Sequence, residues 1–203
     1  MIAKVPSQSR PGGRSARIQT TVYETVKELL KTLSREELTF PLIAAQAGVT
    51  PSTLYRRWGD IQQLLADVAV EIIRPTAPPP DTGSLGGDLS GWLEQFLEES
   101  VSPLGRAMLR DMAAAYGDDR VPCACVEILR GQLQVILDRA EARGEAVALD
   151  ADTLLDLLAT PIAYRALFDL PPEPAYAQVL LGRVRALLRT RRMNRESGDN
   201  EPQ

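Results

Sequence analysis

Histidine is absent from all 203 residues. Its absence removes the usual general base, the Ser-His arrangements of nucleophilic catalysis and most catalytic zinc sites. Cysteine occurs only twice, as Cys123 and Cys125. Two are too few for a disulfide framework, and both are expected to be ordinary free thiols, buried or partly buried. Aromatic residues make up 5% of the chain, and no convincing strand pattern or fixed-period repeat is present. No apolar run approaches the ~18 residues of a membrane span, and nothing resembles a signal peptide, so a reducing cytoplasm is the expected compartment. Clustered carboxylates and nucleophile motifs are also missing. The expectation is therefore no enzyme activity, no cofactor and no metal.

What is present is alanine, leucine and a divided charge. Hydrophobic residues reach 44%, enough for a real core, and their Ala/Leu bias favours an all-α fold. The net charge of −4 is unevenly spread. Residues 1–74 hold ten of the 23 Lys/Arg and seven of the 27 Asp/Glu, a net of +3, and the remainder carries −7. The positive share therefore lies in the first third of the chain.

Residues 1–14 are rich in Ser, Pro, Gly and Arg and read as a flexible basic arm. Apolar residues at Ile18, Val22, Val26, Leu29, Leu30 and Leu33 then mark one face of a helix. Thr39 opens a second helix as its N-cap, with Leu42, Ile43 and Ala47 inward and Gly48 supplying a turn. Thr50 caps a third, with Pro51 at the first helical position, where its missing N–H costs nothing. Asp60 starts a fourth helix, and Gln63 three residues later approximates a capping box. Residues 74–88 contain four prolines and three glycines and predict a break in regular structure. The expected domains are 15–74, a loop at 75–88, a larger helical domain at 89–192 and a disordered polar tail at 193–203.

The third helix has the makings of a groove reader. Thr50, Ser52 and Thr53 are small and polar at its start. Leu54 and Trp58, at i and i+4, form an inward stripe, and Tyr55, Arg56 and Arg57 remain on the other side. A short helix with polar N-terminal residues, locked from behind to the preceding helix, is the design of a helix-turn-helix that enters a DNA major groove.

AAQAGV at 44–49, TLYRRW at 53–58 and Asp60 together resemble the TetR family of bacterial transcriptional regulators. The resemblance implies an N-terminal helix-turn-helix domain of three helices and a C-terminal helical domain for effector binding and dimerisation, about nine helices in all. It also implies double-stranded DNA, a homodimer and a small apolar effector as partners, in a bacterial cytoplasm. Tyr55 and Thr53 would reach phosphates. Thr50, Ser52 and Arg56 would meet base edges, and Arg57 could serve either role. Arg14 and Arg17 would meet the backbone and Arg10 a minor groove, and Thr39 completes the expected DNA-binding set. Two positions depart from the family pattern: Ile61 stands where a lysine often grips a phosphate, and Trp58 where Phe is usual.

Met and aromatic residues suit an adaptable apolar cavity. The expected effector pocket draws on Trp92, Phe96, Met108, Met112, Tyr116, Tyr164 and Phe168, with Arg110, Arg130 and Arg165 as polar anchors. The last two helices are apolar around more than one face, which implies a second protomer. The expected dimer interface is Leu154, Leu158, Ile162, Val179, Leu180, Val184 and Leu187, with Pro161 bending its helix. The functional expectation is a ligand-responsive repressor that binds a pseudo-palindromic operator as a dimer. The alternatives are a helical protein-interaction module and an enzyme with a fused helix-turn-helix.

Overall fold

The computed structural model describes residues 13–115, 124–170, 172–173 and 175–198, with the side chains of residues 14 and 189–198 outside that description. Among the described residues every regular element is helical. The chain divides into two compact units, one ending at Val68 and the other beginning at Ala69.

The first unit contains α1 (Arg14–Leu29), a single 3-10 turn (Arg35–Glu37), α2 (Phe40–Ala47), α3 (Pro51–Trp58) and the start of α4 (Ile61–Ile73). Local signals set most of these boundaries. The Thr39 hydroxyl accepts the Leu42 N–H, and the Asp60 carboxylate accepts the Gln63 N–H at 2.9 Å. Gly48 ends α2 in the left-handed region at φ 66°, a conformation open to glycine at little steric cost. Ser34 and Glu37 close a capping box around the 3-10 turn, and its backbone bond to Ser34 holds the Glu37 carboxyl below the usual glutamate range. Val22, Val26, Ile43, Leu54 and Leu64 are buried, and α2 packs on both α1 and α3.

The second unit contains the rest of α4, then α5 (Leu85–Val101), α6 (Pro103–Ala115), α7 (Ala124–Ala142), α8 (Ala151–Leu154), a π turn (Leu155–Ala159), α9 (Thr160–Leu167) and α10 (Ala175–Gly198). Its core gathers Leu89, Trp92, Leu93, Leu133, Ile136, Leu154, Leu158, Ile162, Leu180 and Val184. Helix α5 lies centrally and packs on α6, α7, α9 and α10. Met108 and Met112 of α6 cluster with Ala69, Ile72 and Ile73.

Three sequence expectations are corrected here, and a fourth, the bend at Pro161, gains a local setting. Helix α5 starts at Leu85, inside the stretch expected to lack regular structure. Ser84 caps it by accepting the Gly87 N–H, and both Glu145 carboxylate oxygens accept the Leu85 N–H at 3.0 and 2.9 Å. Helix α10 continues to Gly198, so residues 193–198 are helical rather than part of a disordered tail. Cys125 is disulfide-bonded rather than a free thiol. Pro161, expected to bend its helix, sits just after a π turn. The Thr160 N–H and hydroxyl both bond the Leu155 carbonyl, five residues back, so the ladder widens where proline can donate nothing.

The junction of α5 and α6 leaves no room at Gly105. The Ser102 hydroxyl donates to the Glu99 carbonyl and accepts the Gly105 N–H. A Cβ at Gly105 would lie 2.0 Å from that carbonyl oxygen. Gly105→Ala is therefore expected to lower stability by about 3 kcal/mol, the scale of an overpacked site. Gly131, in mid-α7, has nothing within 4 Å of such a Cβ. Gly131→Ala should raise stability by about 0.5–1 kcal/mol through helix propensity. Thermal melting of the two variants should give shifts of opposite sign.

Candidate nucleic-acid interface

Helix α3 is amphipathic in a way that leaves its polar side free. Leu54 and Trp58 are buried, while Ser52, Tyr55, Arg56 and Arg57 are exposed and Thr53 is half-buried. Tyr55 is 56% exposed, with its ring edge-on to Phe40 at 4.7 Å between centroids. Phe40 thus packs the ring from the α2 side while Tyr55 stays exposed.

Thr50 stands at the N-cap position, but its side chain makes no capping bond. Its hydroxyl instead meets the Ser52 hydroxyl at 3.0 Å and the Thr53 hydroxyl at 2.9 Å. Three hydroxyls at a helix start, each able to donate or accept, can face phosphate oxygens or base edges.

The two adjacent arginines are used differently. Arg57 donates to the Ser15 hydroxyl at 2.7 Å and to the Gln19 side-chain carbonyl, both on α1, and its guanidinium lies 5.3 Å from the Trp58 ring centroid. Arg56 is exposed and makes no such bond. Arg17 is exposed on the first turn of α1, and Thr39 is exposed at the start of α2. The Arg14 side chain and Arg10 lie outside the described residues.

The departure at Trp58 has a structural counterpart that the sequence did not disclose. The Trp58 indole N–H donates to Asp67 of α4 at 2.9 Å, and the Tyr23 hydroxyl of α1 donates to the same carboxylate oxygen at 3.2 Å. Asp67 was missed because no local motif marks it. Its spacing of nine residues from Trp58 crosses a turn whose geometry has to be known first.

The residues expected to line an effector pocket do not converge. Trp92 and Phe96 stack at 5.4 Å within the core, with the Trp92 N–H bonded to Gln132. Met108 and Met112 belong to the separate cluster with α4. Tyr164 and Phe168 pair at 4.7 Å on the surface, each 58% exposed. Tyr116 lies outside the described residues. Of the expected anchors, Arg110 bonds both oxygens of Asp169, and Arg130 pairs with Asp152 and Glu127. Arg165 lies 5.0 Å from the Tyr176 ring, with its Nε buried and unbonded. A narrow apolar crevice with essentially no cavity volume occurs elsewhere, lined by Leu85, Leu89, Leu137, Val147, Ala148, Leu149, Leu154 and Leu188.

The expected dimer residues also divide. Leu154, Leu158, Ile162, Leu180 and Val184 are buried in the protomer's own core and offer no surface to a second chain. Val179 is 48% exposed, and Leu187 is half-buried.

Among the described residues no group of three or more His, Cys, Asp or Glu side chains could hold a metal ion, and no helix is long and apolar enough to cross a membrane.

Comparison with known proteins agrees with the geometry. A family profile described as "Bacterial regulatory proteins, tetR family" matches residues 28–68, and one described as "Tetracyclin repressor-like, C-terminal domain" matches residues 79–184. The chain is 30% identical over 171 residues to an uncharacterized HTH-type transcriptional regulator of Mycobacterium bovis, covering 82% of this chain and 85% of that protein. It is 28% identical over 142 residues to the HTH-type transcriptional regulator AqdR of Rhodococcus erythropolis, covering 68% of this chain and 69% of that one. The crystal structure of the TetR family transcription regulator SCO0332 matches with a TM-score of 0.65 and 25% identity, over 83% of this chain and 96% of that one. Helix-turn-helix, helical second unit and sequence relatives all lead to the same place: the chain belongs to the TetR family of helix-turn-helix transcriptional regulators.

Proposed function

We propose that this regulator is a ligand-responsive repressor that binds a pseudo-palindromic operator as a homodimer. The observation that carries the DNA reading is α3 itself. Its apolar stripe is sunk in the first unit, and its hydroxyl cluster, Tyr55 and an unbonded Arg56 are left outside. Among the described residues the three hydroxyls bond one another and Arg56 bonds no side chain, and a major groove supplies acceptors for them.

Arg56 reads a base edge, and Tyr55 with Thr53 contacts phosphates. Arg17 and Thr39 add backbone contacts, and Arg14 belongs to the same expected set. Two-fold pairing of protomers sets two α3 helices one or more helical turns apart on the duplex. The face that supports pairing is the exposed set of Tyr164 on α9, Phe168 just after it and Val179 on α10. An effector releases DNA only by binding one of two conformations more tightly. The apolar crevice bounded by Leu85 and Leu188 is the place an apolar effector would enter. It holds essentially no cavity volume, against the roughly 300 Å³ that a drug-sized ligand fills, so that state has to open it.

Selection of bound fragments from a pool of random duplexes tests the reading. The expected result is an enriched inverted repeat whose binding weakens steeply with salt. No enrichment, and no duplex binding in dilute buffer, overturns it. On the selected duplex, Arg56→Ala is expected to cost about 1–3 kcal/mol and to relax preference at one position of each half-site. Tyr55→Phe is expected to weaken selected and scrambled duplexes alike, because a phosphate contact carries no sequence information. Anisotropy titrations over single-base variants of the repeat separate the two outcomes.

A further inference from the structure

Five side chains close a circuit around the back of α3. Arg57 of α3 donates to Gln19 of α1, and the Gln19 amide donates to the Tyr23 hydroxyl at 2.5 Å. Tyr23 donates to the Asp67 carboxylate of α4 at 3.2 Å, and Trp58 of α3 donates to the same oxygen at 2.9 Å. The Gln63 amide donates to the other Asp67 oxygen at 3.4 Å. Three helices are thus joined by charge-assisted bonds that converge on one half-buried carboxylate.

The partners suit the task. Trp58 is buried and Asp67 accepts its indole N–H, so loss of Asp67 leaves a largely buried donor without that partner. Burial pushes the Tyr23 hydroxyl up, and the Asp67 charge adds to the rise against the lowering effect of Gln19. The phenol therefore stays protonated and donates. Both donors leave rings packed at 6.2 Å between centroids, so the carboxylate fixes rotation where ring packing alone fixes only distance. Rotation matters because α3 has eight residues, and turning a helix this short re-aims each side chain at its tip.

We propose that Asp67 is a positioning residue for DNA recognition, holding α3 through Trp58 and α1 through Tyr23 so that Arg56 and the hydroxyl cluster meet the duplex at one fixed angle. The proposal rests on the DNA-reading role given above to α3. It differs from a contact role in what it predicts. Asp67 touches no nucleic acid, so its loss degrades sequence preference and spares the non-specific affinity that phosphate contacts supply.

The test uses the full chain, the selected duplex and a scrambled duplex of the same length, read by fluorescence anisotropy. Asp67→Leu is expected to reduce the selected-to-scrambled affinity ratio by about tenfold, the scale of a lost charged hydrogen bond, while scrambled affinity stays within about twofold. Trp58→Phe in the Asp67→Leu background is expected to recover about threefold of that loss, because no buried N–H is then left unpaired. A merely structural role would lower thermal stability and leave the affinity ratio unchanged. An unchanged ratio in Asp67→Leu, or a double variant no better than Asp67→Leu, overturns the proposal. Should Asp67→Leu fail to fold, Trp58→Phe alone decides. A fall of about threefold in the ratio supports the proposal, and a full ratio overturns it. Hydrogen exchange of the Trp58 indole, assigned by its absence from the Trp58→Phe spectrum, gives a readout that needs no DNA. Protection in the wild type supports the bond, and free exchange overturns the proposal. A wild type that prefers neither duplex instead removes the DNA reading, and the indole exchange still reports on Asp67.

Discussion

Leu180→Glu is expected to unfold the second unit, and Val179→Glu, one residue away, is expected to leave it folded and separate the protomers. Leu180 is 1% exposed and belongs to the core built on α5, α7 and the helices from Ala151 onward. A glutamate there has to bury a carboxylate among leucines or neutralise it, and either course costs several kcal/mol. A change above about 4 kcal/mol falls within the range that removes most of a domain's stability. Val179 is 48% exposed. A surface charge there shifts stability by about 0.5 kcal/mol or less, so any loss of dimer comes from the interface itself. Thermal melting followed by circular dichroism separates the two variants, and sedimentation velocity reads the association state. A folded Leu180→Glu chain would mean that α10 repacks. A dimeric Val179→Glu chain would move the pairing face away from α10.

The contrast between these neighbours shows what the sequence could and could not disclose. Leu154, Leu158 and Ile162 follow one another at four-residue spacing, as do Leu180 and Val184, and together they form the strongest apolar stripes in the last third of the chain. Periodicity establishes that such a stripe is covered, but not by which chain. The protomer's own core takes the strongest stripe first. What stays exposed is the weaker pattern of Tyr164, Phe168 and Val179, the face proposed for pairing, which contains too few residues to show a period. The π turn at Leu155–Ala159 adds to the difficulty. It inserts extra rotation between α8 and α9, so a face projected forward from Leu154 with an α-helical period drifts.

The N-terminal unit was far more legible because its signals are local. Thr39, Gly48, Pro51 and Asp60 each act within four residues of themselves, and all stand at the helix ends expected of them. The exposed side of α3 followed from Leu54 and Trp58 alone. Asp67 did not, because its partners come from two other helices, 44 and nine residues away. The division of labour between Arg56 and Arg57 was equally hidden. Ser15 and Gln19 capture one guanidinium and not the other, and only the approach of α1 decides which.

The segment before α5 gives the second large effect. Its prolines and glycines describe a mobile connector, yet residues 79–88 are fastened to the end of α7. Arg139 donates to the carbonyls of Pro79 and Pro80. Arg143 reaches Asp81, Asp88 and Glu145, and Asp88 also accepts the N–H and hydroxyl of Thr82 at 2.5 and 2.7 Å. Asp88 is 0% exposed. Burial pushes its carboxyl up, but Thr82 and Arg143 more than offset this and leave it below the usual aspartate value. The Leu85 N–H, followed by Arg143, likewise lowers the Glu145 carboxyl.

Asp88→Ala strands a guanidinium contact and two Thr82 donors, so it is expected to cost about 3 kcal/mol, the scale of breaking a buried charge pair. In a unit of this size that lowers the thermal midpoint by roughly 10 °C. The same cluster fixes the sign of the acid response. Carboxylates with lowered values in the folded state bind fewer protons there than in the unfolded chain, so stability rises with pH through their titration. The contribution is complete above the ordinary values of 3.8 for aspartate and 4.5 for glutamate, and it is lost as pH falls through the lower folded values. Denaturant melts from pH 7 down to pH 3 should therefore show a steeper loss in the wild type than in Asp88→Ala, and the two curves should converge at the acid end. Parallel curves would mean that Asp88 packs in this site without being ionised there. The segment would then be held by Arg139 and its two proline carbonyls instead.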